Sequence, residues 1–283
     1  MTAAPDTVAL PRRELTGPPA LGRGLHRFWS LLWLSALADF KRRYAGTVLG
    51  YAWTLIRPLM TLGIFYVVVT QILFRFEEIP NYGVLLLLNI VLFTFFTEAT
   101  IGATRSFVSG GGLVRKMPVP RIVMPLSTVL TISFSLATNL IVVFVWMLAA
   151  GVEPRSTWLL LPAIVVPLIV LTCSTSLLLS ALFPRFRDVA QVWPMATRIM
   201  FYTTVIFPTE ILPRVLQDVQ SFNPVAPLFV QVRMWMIDPG APGWFDLGRT
   251  TFQELMPFAV FIALCVAGWL VFAHRAPRIA EEL

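Results

Sequence analysis

Charge is scarce in this sequence. Only 13% of its 283 residues are Asp, Glu, Lys or Arg, about half the share usual in a soluble domain. Cysteine is nearly absent. Cys173 and Cys265 both lie in apolar runs, which reads as two small buried residues and excludes a disulfide framework. The only histidines, His26 and His274, fall outside those runs and leave little material for a metal centre or His-based catalysis. No G-x-x-x-x-G-K-(S/T) occurs, so the chain lacks that phosphate-binding loop. It also lacks a His-Asp constellation and a large catalytic loop, which argues against an embedded enzyme. Residues 1–22 are polar and hold four prolines. They read as a disordered cytoplasmic tail rather than a cleavable signal.

What the chain has is apolar length. It is 57% hydrophobic with a mean hydropathy of +0.76, the composition of a polytopic membrane protein. The net charge of +7 does not point to nucleic acid, because the basic residues flank apolar runs as membrane topology requires. The organising stretch is residues 41–74. Lys41, Arg42 and Arg43 precede a run from Trp53 to Phe74, long enough for a span, which needs about 20 residues. Its one charge, Arg57, sits where a long side chain snorkels to the headgroups.

Residues 23–43 carry Leu25, Phe28, Trp29, Leu32, Ala36 and Phe40 at helical spacing, the pattern of an amphipathic helix in the membrane interface. Further spans are expected at about 83–103, within 122–151, at about 157–183, from Val189 onward, and at about 256–273. The segment 207–213, FPTEILP, interrupts the fifth. Residues 214–255 read as re-entrant or interfacial helices on the outer side. The expected fold is therefore all-α, with six transmembrane helices, both termini cytoplasmic, an N-terminal interface helix and re-entrant helices before the last span. Charge supports this topology: 15 Lys and Arg fall in the proposed inner segments and 5 in the outer links, as the positive-inside rule requires.

The order of residues also resembles a family. R-x-Y-x-x-(T/S)-x-L-G-x-x-W-x-x-x-x-P, carried by Arg42, Tyr44, Thr47, Leu49, Gly50, Trp53 and Pro58, is similar to the start of the permease subunits of ABC-2-type polysaccharide exporters. These move O-antigen, teichoic acid or galactan chains. LVRKMPVPRIVMPL at 113–126, FPRFRDV at 183–189 and FNPVAP with VRMW at 222–235 resemble later segments of the same family. The triple glycine at Gly110 departs from its pattern.

The resemblance implies that residues 44–283 form an ABC-2 transmembrane domain. It implies a homodimer served by two copies of a separate ABC ATPase, which binds ATP and Mg, with no cofactor in this chain. It implies a bacterial cytoplasmic membrane and a lipid-linked polysaccharide as substrate. Coupling to the ATPase then falls to the interface helix and to Arg115, Lys116, Met117, Pro118, Pro120 and Arg121, although their basic residues also serve topology alone. A lipid diphosphate needs cations at the inner interface, where Lys41, Arg42, Arg43 and Arg57 sit. Sugar rings have apolar faces that suit aromatic walls. Candidates for these are Phe65, Tyr66, Phe93, Phe96, Phe201 and Tyr202, which suit helix packing equally. An ABC-2 permease for a drug or simple lipid, or an embedded glycosyl- or acyltransferase, are the competing readings. Finally, Glu98 and Arg198 lie inside expected spans. A charge at a span's centre costs about 2.5–3.5 kcal/mol on insertion scales. Either they pair or share a hydrated cavity, or each meets water or headgroups separately.

Overall fold

The computed structural model describes residues 25–44, 52–68, 81–109, 120–206, 209 and 212–275. The expected tail at 1–22, the triple glycine and most of the coupling segment lie outside them. The described residues are helical throughout, with no strand among them. In chain order the helices are α1 (Leu25–Tyr44), α2 (Ala52–Val68), α3 (Tyr82–Thr104), the single turn α4 (Ser106–Ser109), α5 (Val123–Ala149), α6 (Leu161–Leu182), α7 (Val189–Phe201), α8 (Arg214–Ser221), α9 (Ala226–Met236) and α10 (Thr251–Arg275). A 3-10 stretch, Ser156–Leu160, leads into α6. Among the described residues, four units have the length and apolarity to cross a membrane: α3, α5, Ser156–Leu182 and α10. α2 has 17 described residues. α7 has 13 and continues as a π-helical turn, Tyr202–Ile206.

α3 is the axis of the bundle. Its sequence is apolar on every side, and a helix of that kind is buried. Of its most apolar window 78% is buried, against 17% for α10. α5, α6, α2 and α7 surround it. The main core runs from Tyr82 to Ala99 on α3 and takes in Leu136, Val143 and Met147 of α5, Leu168 and Leu171 of α6, and Phe229 and Met236 of α9. α10 lies outside this core and packs chiefly along α6. The contact is close because Gly268 has no side chain where the Ser174 backbone passes. Small residues let membrane helices approach in this way.

α1 is the amphipathic helix expected at 23–43. Leu32 and Ala36 are buried. The Ala36 carbonyl accepts a hydrogen bond from Thr131 Oγ1 at 3.1 Å. Trp33 and Phe40 both meet the Phe134 ring edge-on, at 5.1 and 5.6 Å. α1 therefore lies along the first half of α5, while Trp29, Trp33 and Leu34 remain exposed.

Candidate functional site

One end of the bundle holds the flanks of the 115–121 segment. On one side Phe107 of α4 is buried and stacks on Phe272 of α10, with ring centres 6.2 Å apart. Leu177 and Ala181 of α6 complete the cluster, and Ile122, Met124 and Leu126 pack on it from the other flank. Pro120 and Arg121 open the first turn of α5, their carbonyls accepting from Val123 N at 2.9 Å and Met124 N at 3.2 Å. Arg115, Lys116, Met117 and Pro118 lie outside the described residues. Both ends of this stretch are thus anchored to α6 and α10 through one aromatic contact. Sequence reasoning missed Phe107 and Phe272, because nothing in their local pattern sets them apart from other apolar positions.

Lys41 and Arg42 are exposed at the end of α1. Arg42 lies 4.0 Å from Asp39. Desolvation raises the Asp39 carboxyl above its ordinary value, and the Arg42 guanidinium offsets part of that rise. The side chains of Arg43, Arg57, Phe65 and Tyr66 lie outside the described residues.

The middle of the bundle sorts the remaining aromatic candidates. Phe93 and Phe96 are 3% and 0% exposed and belong to the core, in contact with Phe201, Phe229 and Trp193. Neither reaches the protomer surface. Phe201 is half-buried, and Tyr202 beside it is exposed. α7 runs antiparallel to α3. Trp193 Nε1 donates to Thr100 Oγ1 at 2.9 Å toward the end that holds Phe107, and Tyr82 Oη donates to the Ile206 carbonyl at 2.6 Å toward the opposite end. These contacts set Glu98 and Arg198 at similar heights. Glu98 is half-buried on α3, whereas Arg198 lies on the exposed face of α7. They form no ion pair with each other among the described residues.

The opposite end of the bundle is held by a polar network that the sequence did not announce. Gln220 is 1% exposed. Its Nε2 donates to the Thr203 carbonyl in the π-helical turn at 3.1 Å. Its Oε1 accepts from Thr209 Oγ1 at 3.0 Å and from Arg249 Nη2 at 2.6 Å. Arg249 lies over the Trp244 ring at 4.4 Å. Asn223 Nδ2 donates to Thr204 Oγ1 at 2.6 Å, and Asn223 Oδ1 accepts from Val225 N at 3.2 Å. The π-helical turn is therefore clamped to α8 and to the start of α9. Replacing Gln220 with leucine strands three polar partners in a buried site. The expected cost is about 3 kcal/mol, a fall of roughly 5–10 °C in melting midpoint. A thermal melt of the purified chain checks it, and an unchanged midpoint contradicts the clamp.

Comparison with known proteins places this arrangement. A family profile described as ABC-2 type transporter matches residues 30–237, which run from α1 through α9. The chain belongs to the ABC-2 type transporter family. Among curated proteins, this ABC-2 chain is 27% identical over 251 residues to an O-antigen export system permease protein, RfbA, of Klebsiella pneumoniae, covering 87% of this chain and 92% of the relative. It is 25% identical over 271 residues to the protein of the same name in Myxococcus xanthus, covering 93% and 99%. It is 22% identical over 202 residues to the polysialic acid transport protein KpsM of Escherichia coli, covering 67% and 74%. The protein is a multi-pass membrane subunit of a transporter, in keeping with the four membrane-length units.

The motifs singled out in this ABC-2 chain now have physical roles. In FPRFRDV, Phe186 N donates to the Leu182 carbonyl at 2.9 Å and closes the turn between α6 and α7. The guanidiniums of Arg185 and Arg275 lie 5.4 and 6.0 Å from the Phe186 ring centre, so the turn meets the end of α10. In FNPVAP, Asn223 orders the turn into α9. In VRMW, the Trp235 carbonyl accepts from Thr157 Oγ1, which ties α9 to the entry of α6.

Proposed function

We propose that this chain is the permease subunit of an ABC exporter that carries a lipid-linked polysaccharide across the bacterial cytoplasmic membrane. The observation that carries the reading is the family match together with near full-length correspondence to several O-antigen export permeases. The chain functions as a homodimer with two copies of a separate ABC ATPase, which binds ATP and Mg. It has six spans and cytoplasmic termini. The missing phosphate-binding loop and the inward bias of Lys and Arg support this assignment. The ATPase docks on α1, which packs along α5, and on the 115–121 segment, which precedes α5 in the chain. The lipid carrier's phosphates meet Lys41, Arg42, Arg43 and Arg57 at the inner interface. The conduit wall is the surface that each protomer leaves uncovered. That surface includes Tyr202 and excludes Phe93 and Phe96, which the core has already used.

The test is reconstitution. The purified chain alone should hydrolyse no ATP. Co-purified with its ABC ATPase partner, it should hydrolyse ATP as a two-plus-two assembly by native mass spectrometry. It should also export glycan in membranes. Robust ATP hydrolysis by the isolated, contaminant-free chain would overturn the assignment.

A further inference from the structure

One side of α7 is left uncovered among the described residues. Gln191, Val192, Met195, Arg198, Ile199 and Tyr202 recur along it at helical spacing, and all six are exposed. Val192, Met195 and Ile199 suit lipid. Arg198 does not. It lies nine residues beyond Val189, about 14 Å along the helix at 1.5 Å per residue, which is close to the centre of a hydrocarbon layer roughly 30 Å thick. The pairing with α3 gives the same height independently. Trp193 meets Thr100, and the Phe201 ring lies 5.6 Å from that of Phe93. Arg198 is therefore within about one turn of the middle of α3.

A guanidinium keeps its charge at any physiological pH. From this depth the side chain reaches only part of the way to either headgroup layer, and an unpaired arginine at mid-membrane is among the costliest placements in a bilayer. Among the described residues no carboxylate meets it. Glu98, at similar height, is on α3 and forms no pair with it. The uncovered face of α7 is thus unsuited to lipid and suited to water.

We propose that Arg198 is a cationic station in a hydrated path along α7, and that it takes the anionic oxygens of the molecule being moved. This deepens the exporter assignment and rests on it. The planar guanidinium matches phosphate and carboxylate oxygens in a two-pronged geometry, so the anion is either the carrier's phosphate or an acidic sugar. The Tyr202 ring lies one turn further out on the same face and offers a stacking surface for a sugar. A single exposed cation holds an anion weakly enough to release it, as passage requires.

Reporter cysteines test this in the assembled exporter in proteoliposomes. Cys173 and Cys265 are first replaced by alanine, and then Tyr202→Cys and, separately, Met195→Cys are introduced. Each is treated with an anionic and a cationic methanethiosulfonate reagent. Both cysteines should react. The anionic-to-cationic rate ratio should fall at least about tenfold when Arg198→Gln is added, as removal of a nearby unit charge requires, and should be kept by Arg198→Lys. Pyrophosphate and glucuronate are then offered as protectants. Slowing by pyrophosphate alone assigns the station to the carrier's phosphates, and slowing by glucuronate assigns it to acidic sugars. Three results overturn the proposal: no labelling at either position, a rate ratio indifferent to Arg198, or protection by neither anion. Each of these leaves the exporter assignment standing, because ATP hydrolysis by the assembled complex tests that separately.

Discussion

Replacing Gly268 with leucine is expected to leave almost no folded protein, and Gly268→Ala alone should lower the melting midpoint measurably. A Cβ at Gly268 would overlap the Ser174 carbonyl oxygen and sit 2.9 and 3.2 Å from the carbonyl carbon and Cα of the same residue. All three are backbone atoms, so no rotamer change relieves the clash, and α10 must move away from α6. Overpacking of this kind costs about 1–3 kcal/mol for one methyl, or roughly 5 °C. The opposite sign is expected at Gly63 of α2, where an added Cβ meets nothing within 4 Å. There alanine gains helix propensity and should be neutral or stabilising by up to about 1 kcal/mol. Thermal unfolding of the three variants in detergent, followed by size exclusion, separates the cases. If Gly268→Ala melted with the parent, α6 and α10 would not meet backbone to backbone at this point.

The second large effect concerns coupling. Changing Arg115, Lys116 and Arg121 together to glutamate should reduce export at least about tenfold, a loss of roughly 1.4 kcal/mol or more of coupling or docking free energy. Membrane abundance should stay normal. The segment joins α4 to α5, and both joints are packed into the Phe107–Phe272 cluster. A displacement imposed on it by an ATPase therefore has a route to α6 and α10. Export, co-purification with the ATPase, and cysteine labelling of both loop faces distinguish lost docking from inverted topology. Full export by a normally inserted, normally abundant triple variant would remove the segment from the coupling pathway.

Much of the helical layout is legible in the residues. The second expected span, 83–103, appears as Tyr82–Thr104, and the third, within 122–151, as Val123–Ala149. The fourth, 157–183, appears as a 3-10 stretch followed by α6. The last span begins five residues earlier than expected, at Thr251. Its polar first turn is held by tertiary contacts: Trp244 Nε1 donates to the Glu254 carbonyl at 2.9 Å, and Gln253 donates to Asp218 of α8. The expected fifth span is harder to read. Its α-helix ends at Phe201 and becomes a π-helical turn, whose groups are bound by Gln220 and Asn223, some twenty residues away. No local pattern announces such a partner.

Composition, the placement of charge and the ordered motifs were enough, by themselves, to determine a multi-pass α-helical protein of the ABC-2 type. Long apolar runs in a chain poor in charge have one stable setting, because every backbone polar group must be satisfied in lipid and a helix does this within its own segment. Tertiary structure alone decided which of those runs is the axis and which faces stay open. α3, α5, α6 and α10 are all strongly apolar, yet α3 is enclosed and α10 is largely uncovered. Lipid is as apolar as a protein core, so a membrane helix shows no hydrophobic stripe marking its inner side. Only packing could place Phe93 and Phe96 inside, leave Tyr202 outside and expose Arg198.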